Sequence, residues 1–221
     1  TVQADEVLII PVLKREDPRD VLVNRWYKSL LDLPKGARIG TSSTRRTAQL
    51  LHGAQDLQFM DIRGNVETRI QKSYGDNYDG VILAAAGVKR LGMESYIAEY
   101  LSPQICTPSP GQAAIALEVR ANDVEIIDLV NKIVAPPASV AVQAERALLK
   151  QAGGGCNIPL GAYAILVDNS LQLFATITEP DGSLSYRVEI TGDPSEPELL
   201  AKTAYQALVE QGAAPLLERL Y

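Results

Sequence analysis

Short apolar runs alternate with helical segments along residues 37–90. The apolar runs at 37–41, 57–62 and 80–84 have the length of strands, and each leads through a polar turn into a helical stretch. The hydroxyl groups of the first turn can cap a helix from about residue 43 to residue 51, and Asn65 can cap the next helix. The pattern predicts an α/β domain in which these turns meet at one edge of a sheet.

The pattern changes beyond residue 108. Residues 113–119 predict a further apolar strand and residues 124–133 a helix, after which Pro136-Pro137 indicates a linker. A new unit begins there, because apolar residues return at helical spacing. These residues are Val140, Ala144, Ala147 and Leu148.

Three apolar runs near the C-terminus are separated by turn sequences, which is typical of an antiparallel meander. The predicted strands are residues 162–167, 171–178 and 184–191, joined by turns at 168–169 and 180–182. A helix over residues 196–211 is expected to cover this sheet with one apolar face. That face contains Leu200, Ala204, Ala207 and Leu208.

The chain has 221 residues, of which 46% are hydrophobic, and this is enough for a sizeable core. Apolar stretches such as residues 7–13 and 81–86 are too short to span a bilayer. The N-terminus lacks the features of a signal peptide and begins with Thr1 instead of methionine. We therefore expect a cytoplasmic protein without membrane contact, and a fragment or processed piece of a longer one.

Cys106 and Cys156 are the two cysteines, too few for a disulfide framework, and His52 is the one histidine. No metal site is expected, because neither cysteine has a second cysteine at ligand spacing. Cys106 is predicted to be a buried strand residue. His52 is expected to lie at a helix C-terminus, although a nucleophilic Cys–His pair stays open at this point.

The net charge of −6 argues against binding nucleic acid or an anionic membrane surface. Five arginines nevertheless follow strand ends or begin helices, where successive turns converge. Guanidinium groups bind carboxylates through two parallel hydrogen bonds, so this cluster indicates a small polyanionic ligand. The five are Arg45, Arg46, Arg63, Arg69 and Arg90.

Cys156 stands on a glycine hinge, Gly-Gly-Gly-Cys-Asn-Ile-Pro-Leu-Gly at residues 153–161. By residue type alone a cysteine is most often a small buried hydrophobe. Three preceding glycines reach dihedral angles closed to other residues and leave room for an attached group. The context therefore favours a displayed, anchoring thiol.

This loop resembles the cofactor-attachment loop of the porphobilinogen deaminase, or hydroxymethylbilane synthase, family. Other blocks are similar to that family in the same order, and the similarity runs from residues 15–20 to the C-terminal helix. The blocks are Gly-Thr-Ser-Ser-Thr-Arg-Arg at 40–46, Arg-Gly-Asn-Val-Glu-Thr-Arg at 63–69, Ala-Gly-Val-Lys-Arg-Leu-Gly at 86–92 and Pro-Gly-Gln at 110–112.

The resemblance implies an α/β fold with two periplasmic-binding-protein-like domains around a cleft and a small α+β C-terminal domain with an antiparallel sheet. Residues 14–108 correspond to the second domain and 136–221 to the third, which carries the cysteine. Residues 1–13 and 109–131 correspond to a remnant of the first domain. That first domain is incomplete in this sequence.

The implied activity is the condensation of four porphobilinogen molecules into a linear tetrapyrrole with loss of ammonia. The resemblance implies a dipyrromethane primer held by a thioether to Cys156, and carboxylate binding by the five arginines. It also implies hydrogen bonds from four polar residues to primer and substrate. These are Ser42, Ser43, Asn65 and Gln112.

The family's Lys-Asp-Val-Pro segment, which carries its catalytic aspartate, has no match in this sequence. We expect that segment upstream of Thr1, with a separate chain as one alternative, and expect the 221 residues alone to be inactive. Asp76 and Asp79 are interpreted as turn residues. Ala113 stands where the family often has glycine, which restricts the backbone at the domain hinge.

A non-enzymatic module that binds small polyanions is the alternative. It explains the arginines but not the cysteine loop. The mass of a covalent adduct would distinguish the two.

Overall fold

A computed structural model describes residues 6–154 and 159–219. The strands in these residues are β1 (Val7–Val12), β2 (Asp20–Asn24), β3 (Arg38–Gly40), β4 (Gln58–Met60), β5 (Gly80–Ala84), β6 (Glu99–Tyr100), β7 (Ile115–Arg120), β8 (Leu160–Val167), β9 (Ser170–Thr178) and β10 (Ser185–Gly192). The α-helices are α1 (Thr44–Gly53), α2 (Val66–Lys72), α3 (Ala85–Arg90), α4 (Val124–Asn131), α5 (Pro136–Gln151), α6 (Pro197–Leu208) and α7 (Ala214–Arg219).

A mixed sheet with the strand order β4-β3-β5-β2-β6 forms the centre of residues 14–108. Strand β3 is parallel to β4 and β5, whereas β2 is antiparallel to β5 and β6. The carboxyl ends of β4, β3 and β5 therefore share one edge. The first residue of β2, Asp20, lies at the same edge because it pairs with Ala84.

Strand β2 is buried on both faces of this sheet, which explains its continuous apolar run. Leu22 points into a cluster with Ile39 and with Leu50 of α1. Val21 and Val23 point the other way, into a cluster that includes residues of α2 and α3. Helices therefore cover both faces, as the α/β prediction requires.

Strands β1 and β7 form a separate two-stranded antiparallel ribbon. The predicted strand at 113–119 begins two residues later because residues 111–114 form turns, and Ala113 has a φ of 68°. Leu8, Ile115 and Leu117 are exposed on this ribbon.

The C-terminal unit is the predicted antiparallel meander, with the strand order β10-β9-β8. Asp168 and Asn169 have φ values of 45° and 64° and close the β8–β9 hairpin as a two-residue turn. Helices α5 and α6 pack on the sheet around fully buried Leu148, Leu173 and Ala204.

Two predictions from the sequence are wrong in detail. Pro136-Pro137 is not a linker but the first turn of α5, where the missing N–H groups of proline cost no helical hydrogen bond. Cys106 is buried as predicted, but it lies in a bend after β6 and not in a strand. The three sheets lie within the three predicted segments, and the domain boundaries themselves stay a prediction.

The central and C-terminal units meet at Thr107. Within the central unit, the side chain of Gln49 fixes Thr107 by donating to Thr107 O and accepting from Thr107 N, at 3.3 and 2.7 Å. Thr107 Oγ1 is 2.7 Å from Thr176 Oγ1 of β9. At Gly161 a Cβ atom would lie 2.5 Å from Thr107 O, so the backbones approach too closely there for any side chain.

A second joint links the segment before β2 to α5. Arg15 donates from both terminal nitrogens to fully buried Glu145, at 2.6 and 3.0 Å. The Glu145 carboxylate also accepts from the backbone N–H groups of Gly111 and Ala164. Three chain segments are thereby held by one carboxylate.

Candidate functional site

The shared sheet edge begins with the turn from β3 into α1. Ser43 caps α1, and its hydroxyl accepts a hydrogen bond from Arg46 N as predicted. The Ser42 hydroxyl donates to Ile62 O at 2.5 Å and accepts from Ile62 N at 3.1 Å. The turns after β3 and β4 are thus tied together beside the positive end of the α1 dipole.

The turn from β4 into α2 presents a largely exposed arginine. Gly64 has a φ of 128°, which lets the chain reverse before Asn65 caps α2 by accepting from Thr68 N. The side chain of Arg63 is 82% exposed, and its Nε lies 3.3 Å from Asp61 Oδ2. Arg69 Nε donates back to Gly64 O at 2.7 Å.

The turn from β5 into α3 adds Arg90, the last residue of that helix. Arg90 is exposed, and within the described residues its side chain has no hydrogen bond or ion pair. Its neighbour Lys89 pairs with Glu16. The edge therefore offers exposed guanidinium groups from α3 and from the turn before α2.

Arg45 and Arg46 differ from the other arginines because both are bound to Asp20. Arg45 Nη2 donates to Asp20 Oδ2 at 2.8 Å, and its side chain is only 6% exposed. Its Nη1 donates to Thr107 O at 2.6 Å. Arg46 Nε and Nη2 donate to Asp20 Oδ1 at 3.0 and 2.6 Å.

Gln112 reaches the same carboxylate from the segment between the ribbon strands. Its Nε2 donates to Asp20 Oδ1 at 2.9 Å and to Pro18 O at 2.6 Å. The structure thus brings Gln112 beside the two arginines, although the sequence separates them by more than 60 residues.

Asp20 is the residue that the sequence reasoning did not single out. Burial by itself raises the pKa of this carboxyl, but the charges of Arg45 and Arg46 outweigh burial and lower the pKa to about 2. Asp20 is therefore ionised at neutral pH. An acidic residue at the start of a fully buried strand was the available signal, since such a group needs a cationic partner.

The other aspartates considered from the sequence fall at different ends of the sheet. Asp61 lies beside Arg63 at the shared edge of β4, β3 and β5. We call this edge, with the five arginines that follow these strands, the arginine edge. Asp79 precedes β5 at the opposite end, where it pairs with Arg38 and Arg25. Asp76 lies in the same turn as Asp79, as the sequence indicated.

Cys156 lies outside the described residues, so its predicted display is not tested. The residues before it agree with a hinge, because α5 ends at Gln151 and Gly153 and Gly154 have φ values of 95° and 62°. Cys106 is fully buried, and burial together with the charge of Asp20 raises its pKa to about 12. A thiol in that state is a poor nucleophile.

His52 lies in the last turn of α1, as predicted, and its Nδ1 is 2.9 Å from Gly182 O in the β9–β10 turn. Among residues 6–154 and 159–219, no group of three or more His, Cys, Asp or Glu side chains could hold a metal ion. In that same part of the chain, no helix is both long and apolar enough to cross a membrane.

Comparison with known proteins identifies the family. The family model described as "Porphobilinogen deaminase, dipyromethane cofactor binding domain" matches residues 1–128, and "Porphobilinogen deaminase, C-terminal domain" matches residues 139–210. A lipoprotein of the YaeC family from Enterococcus faecalis superposes with a TM-score of 0.41 at 12% identity, covering 67% of this chain and 68% of the other.

Relatives named porphobilinogen deaminase align over nearly the whole chain. The protein from Syntrophobacter fumaroxidans is 40% identical, over 98% of this chain and 69% of its own length. The protein from Syntrophomonas wolfei is 44% identical, over 95% of this chain and 68% of its own. The protein from Geobacillus kaustophilus is 41% identical, over 99% of this chain and 71% of its own. This chain therefore belongs to the porphobilinogen deaminase family.

Proposed function

We propose that the chain acts in the condensation of four porphobilinogen molecules into hydroxymethylbilane. In each coupling, the methylene carbon of one molecule bonds to the free α-carbon of another pyrrole, while ammonia and the α-proton leave. The observation that carries this assignment is the arginine edge built by three adjacent strand ends in a chain of this family. The activity is that of a transferase of tetrapyrrole biosynthesis.

The arginine edge suits this substrate because each pyrrole carries an acetate and a propionate. Arg63 and Arg90 are exposed at the edge, and Arg69 stands one helical turn beyond Asn65. Each guanidinium can bind one carboxylate through two hydrogen bonds. A chain that grows by one pyrrole at a time meets a row of such sites.

The described residues fit the family's dipyrromethane cofactor, which is itself a polycarboxylate. When bound, that group supplies the pyrrole carbon from which the product grows. We assign its thioether attachment to Cys156, and its carboxylates to the arginine edge. Gly153 and Gly154, which precede Cys156 in the sequence, have no side chains that would crowd the attached group.

Four polar residues are assigned supporting roles at this edge. Ser42 ties two turns together, and Ser43 and Asn65 cap the helices that present the arginines. Gln112 brings the segment after residue 108 to the same place. We propose that their remaining hydrogen-bonding capacity is directed to substrate and primer.

No residue of this chain is assigned the role of the catalytic aspartate, because the family's Lys-Asp-Val-Pro segment does not occur in it. An aspartate would stabilise the pyrrole nitrogen as it becomes cationic, and arginines cannot replace that charge. The inactivity of these 221 residues alone, a separate chain carrying the segment, and the cytoplasmic location stay predictions.

The test uses the chain joined to the part of the Syntrophobacter fumaroxidans relative that the alignment leaves uncovered, supplied in cis or as a second chain. We expect porphyrin absorbance from porphobilinogen after acidification and oxidation. The 221 residues alone are the control and should give none. No product from the joined protein would contradict the proposed activity.

Intact mass tests the attachment site independently of turnover. The joined protein should carry a dipyrrole adduct that is lost in Cys156→Ala and kept in Cys106→Ala. The opposite result would reassign the cofactor to Cys106. If the joined protein carries no adduct even with both cysteines present, the result would instead favour the polyanion-binding module. Neither family model supports that module.

A further inference from the structure

Three of the predicted site residues converge on one buried carboxylate. Arg45, Arg46 and Gln112 all donate hydrogen bonds to Asp20, whose side chain has no exposed surface. Arg45 and Arg46 belong to the first turn of α1, and Gln112 lies in the segment between β6 and β7. Asp20 contacts both groups.

The two oxygens of Asp20 hold different partners. Oδ2 accepts from Arg45 at 2.8 Å and lies 3.4 Å from Cys106 Sγ, deep in the core. Oδ1 accepts from Nε and Nη2 of Arg46 and from Gln112 Nε2, on the side toward the edge. One oxygen therefore anchors the interior arginine, and the other sets Arg46 and Gln112 relative to each other.

The charges around Asp20 do not cancel. Two guanidinium groups face one carboxylate, which leaves one positive charge beside the N-terminus of α1. Arg45 also donates hydrogen bonds from Nη1 to Thr107 O and Cys106 Sγ, so all its partners lie in the protein interior. Arg46 also donates from Nη1 to Ile82 O at 3.3 Å, so each of its three nitrogens has a partner in the protein. A guanidinium carries five N–H groups, and the side chain of Arg46 is 12% exposed, so its remaining N–H groups present the excess charge.

We propose that Asp20 is a positioning residue for the condensation of porphobilinogen, an inference that rests on the function proposed above. Asp20 does not touch the reacting atoms. It orients Arg46 toward a carboxylate of primer or substrate and couples that orientation to Gln112. Loss of Asp20 should therefore weaken catalysis through Arg46 and not only through folding.

The structure offers a matched control at the opposite end of the same sheet. Asp79 accepts from Arg38 and also pairs with Arg25, so it too is a carboxylate shared by two arginines. Asp79 lies away from the arginine edge. Asp20→Asn and Asp79→Asn each remove a carboxylate charge shared by two arginines, although the side chain of Asp79 is 13% exposed and that of Asp20 is fully buried.

Both variants are compared in the primed holoenzyme at a temperature where each is folded. We expect Asp20→Asn to lower kcat/KM for porphobilinogen by about tenfold or more, as for loss of a charged hydrogen bond, and Asp79→Asn to leave it within about twofold. In combination with Arg46→Lys, Asp20→Asn should add little further loss, because both act through one contact. Equal effects of the two aspartate variants, or losses that multiply, would overturn the inference.

A second double-mutant cycle, without any change at Asp20, tests the inference if Asp20→Asn does not fold. Gln112 and Arg46 share Oδ1 of Asp20, so Gln112→Met and Arg46→Lys should give a combined loss smaller than the product of the single losses. The pair Gln112→Met and Arg63→Lys shares no such atom and should give the product. Multiplying losses in both pairs would also overturn the inference.

Failure of the inference and failure of the proposed function are distinguishable. A wild-type holoenzyme that forms no product contradicts the function itself. An active wild-type enzyme with multiplying losses contradicts only the role of Asp20.

Discussion

Arg45 and Arg63 lie at the same edge of the sheet but have different roles. Arg45 is surrounded by Asp20, Thr107 O and Cys106, and its guanidinium compensates a buried charge. Arg63 extends into solvent beside Asp61. Removing a buried partner leaves an unpaired charge at a cost of about 3–5 kcal/mol, whereas an exposed ion pair contributes about 0–1 kcal/mol.

Arg63→Ala should therefore separate activity from stability. We expect kcat/KM for porphobilinogen to fall about 10- to 100-fold, because a charged hydrogen bond to a carboxylate contributes roughly 1.5–3 kcal/mol. The free energy of unfolding, measured in urea, should change by less than about 0.5 kcal/mol. Arg45→Ala is the contrast, with a clear loss of stability. Equal loss of stability in both variants would show that Arg63 is structural.

At the scale of elements, the N-caps of α1 and α2 set the positions of the arginines at the edge. Ser43 and Asn65 have extended backbone conformations and are the N-cap residues of α1 and α2. The arginines that follow are therefore placed by cap geometry as much as by the strands. A cap contributes both to stability and to the direction of the next turn.

Asn65→Ala should cost about 1 kcal/mol of unfolding free energy through loss of the cap. Asp123→Ala removes the equivalent cap of α4, where the Asp123 carboxylate accepts from Ile126 N, away from the arginine edge. Thermal unfolding should report similar losses for both variants. Only Asn65→Ala should also lower kcat/KM, and a similar loss of activity in Asp123→Ala would argue against a local role for Asn65.

At the scale of the whole molecule, the central and C-terminal units are in close backbone contact between Thr107 and Gly161. Gly161→Ala should destabilise the protein strongly, by several kcal/mol, because the new Cβ would lie 2.5 Å from Thr107 O and 2.6 Å from Thr107 Cβ. Gly53→Ala is the control, since a Cβ there meets nothing within 4 Å. Urea unfolding of both variants measures the difference, and a Gly161→Ala protein as stable as Gly53→Ala would contradict the close approach.

The stability of the whole fold should also depend on acid through Asp20. Its pKa is lowered to about 2, below the value of about 4 in an unfolded chain, so its contribution is complete above about pH 4 and is lost as the pH falls toward 2. Chemical unfolding between pH 5 and pH 2 should therefore show a gap between wild type and Asp20→Asn that narrows as the pH falls. A constant gap would show that Asp20 has an ordinary pKa.

The sequence by itself determined the family and most of the elements, but it did not predict strands β2 and β6. Strand runs such as residues 80–84, the caps at Ser43 and Asn65, and the meander of β8 to β10 follow from local periodicity and turn chemistry, which act within a few residues. The motif blocks identified the family because they are local strings in a set order. Sequence also placed Arg63, Arg69 and Arg90 after strand ends, where strand direction alone brings them to one edge.

Only the tertiary structure decided which arginines are paired and with what. Asp20 and Gln112 are 92 positions apart, and Asp20 and Arg45 are 25 apart, so no local pattern shows that they meet. The missed start of α5 has the same origin, because Pro136-Pro137 suits a linker and a first helical turn equally well, and packing of α5 on β8 settles the choice. Ala113 takes a left-handed φ of 68°, which its side chain disfavours. Long-range pairing and packing outweigh local preference at these positions, and for that reason they cannot be read from neighbouring residues.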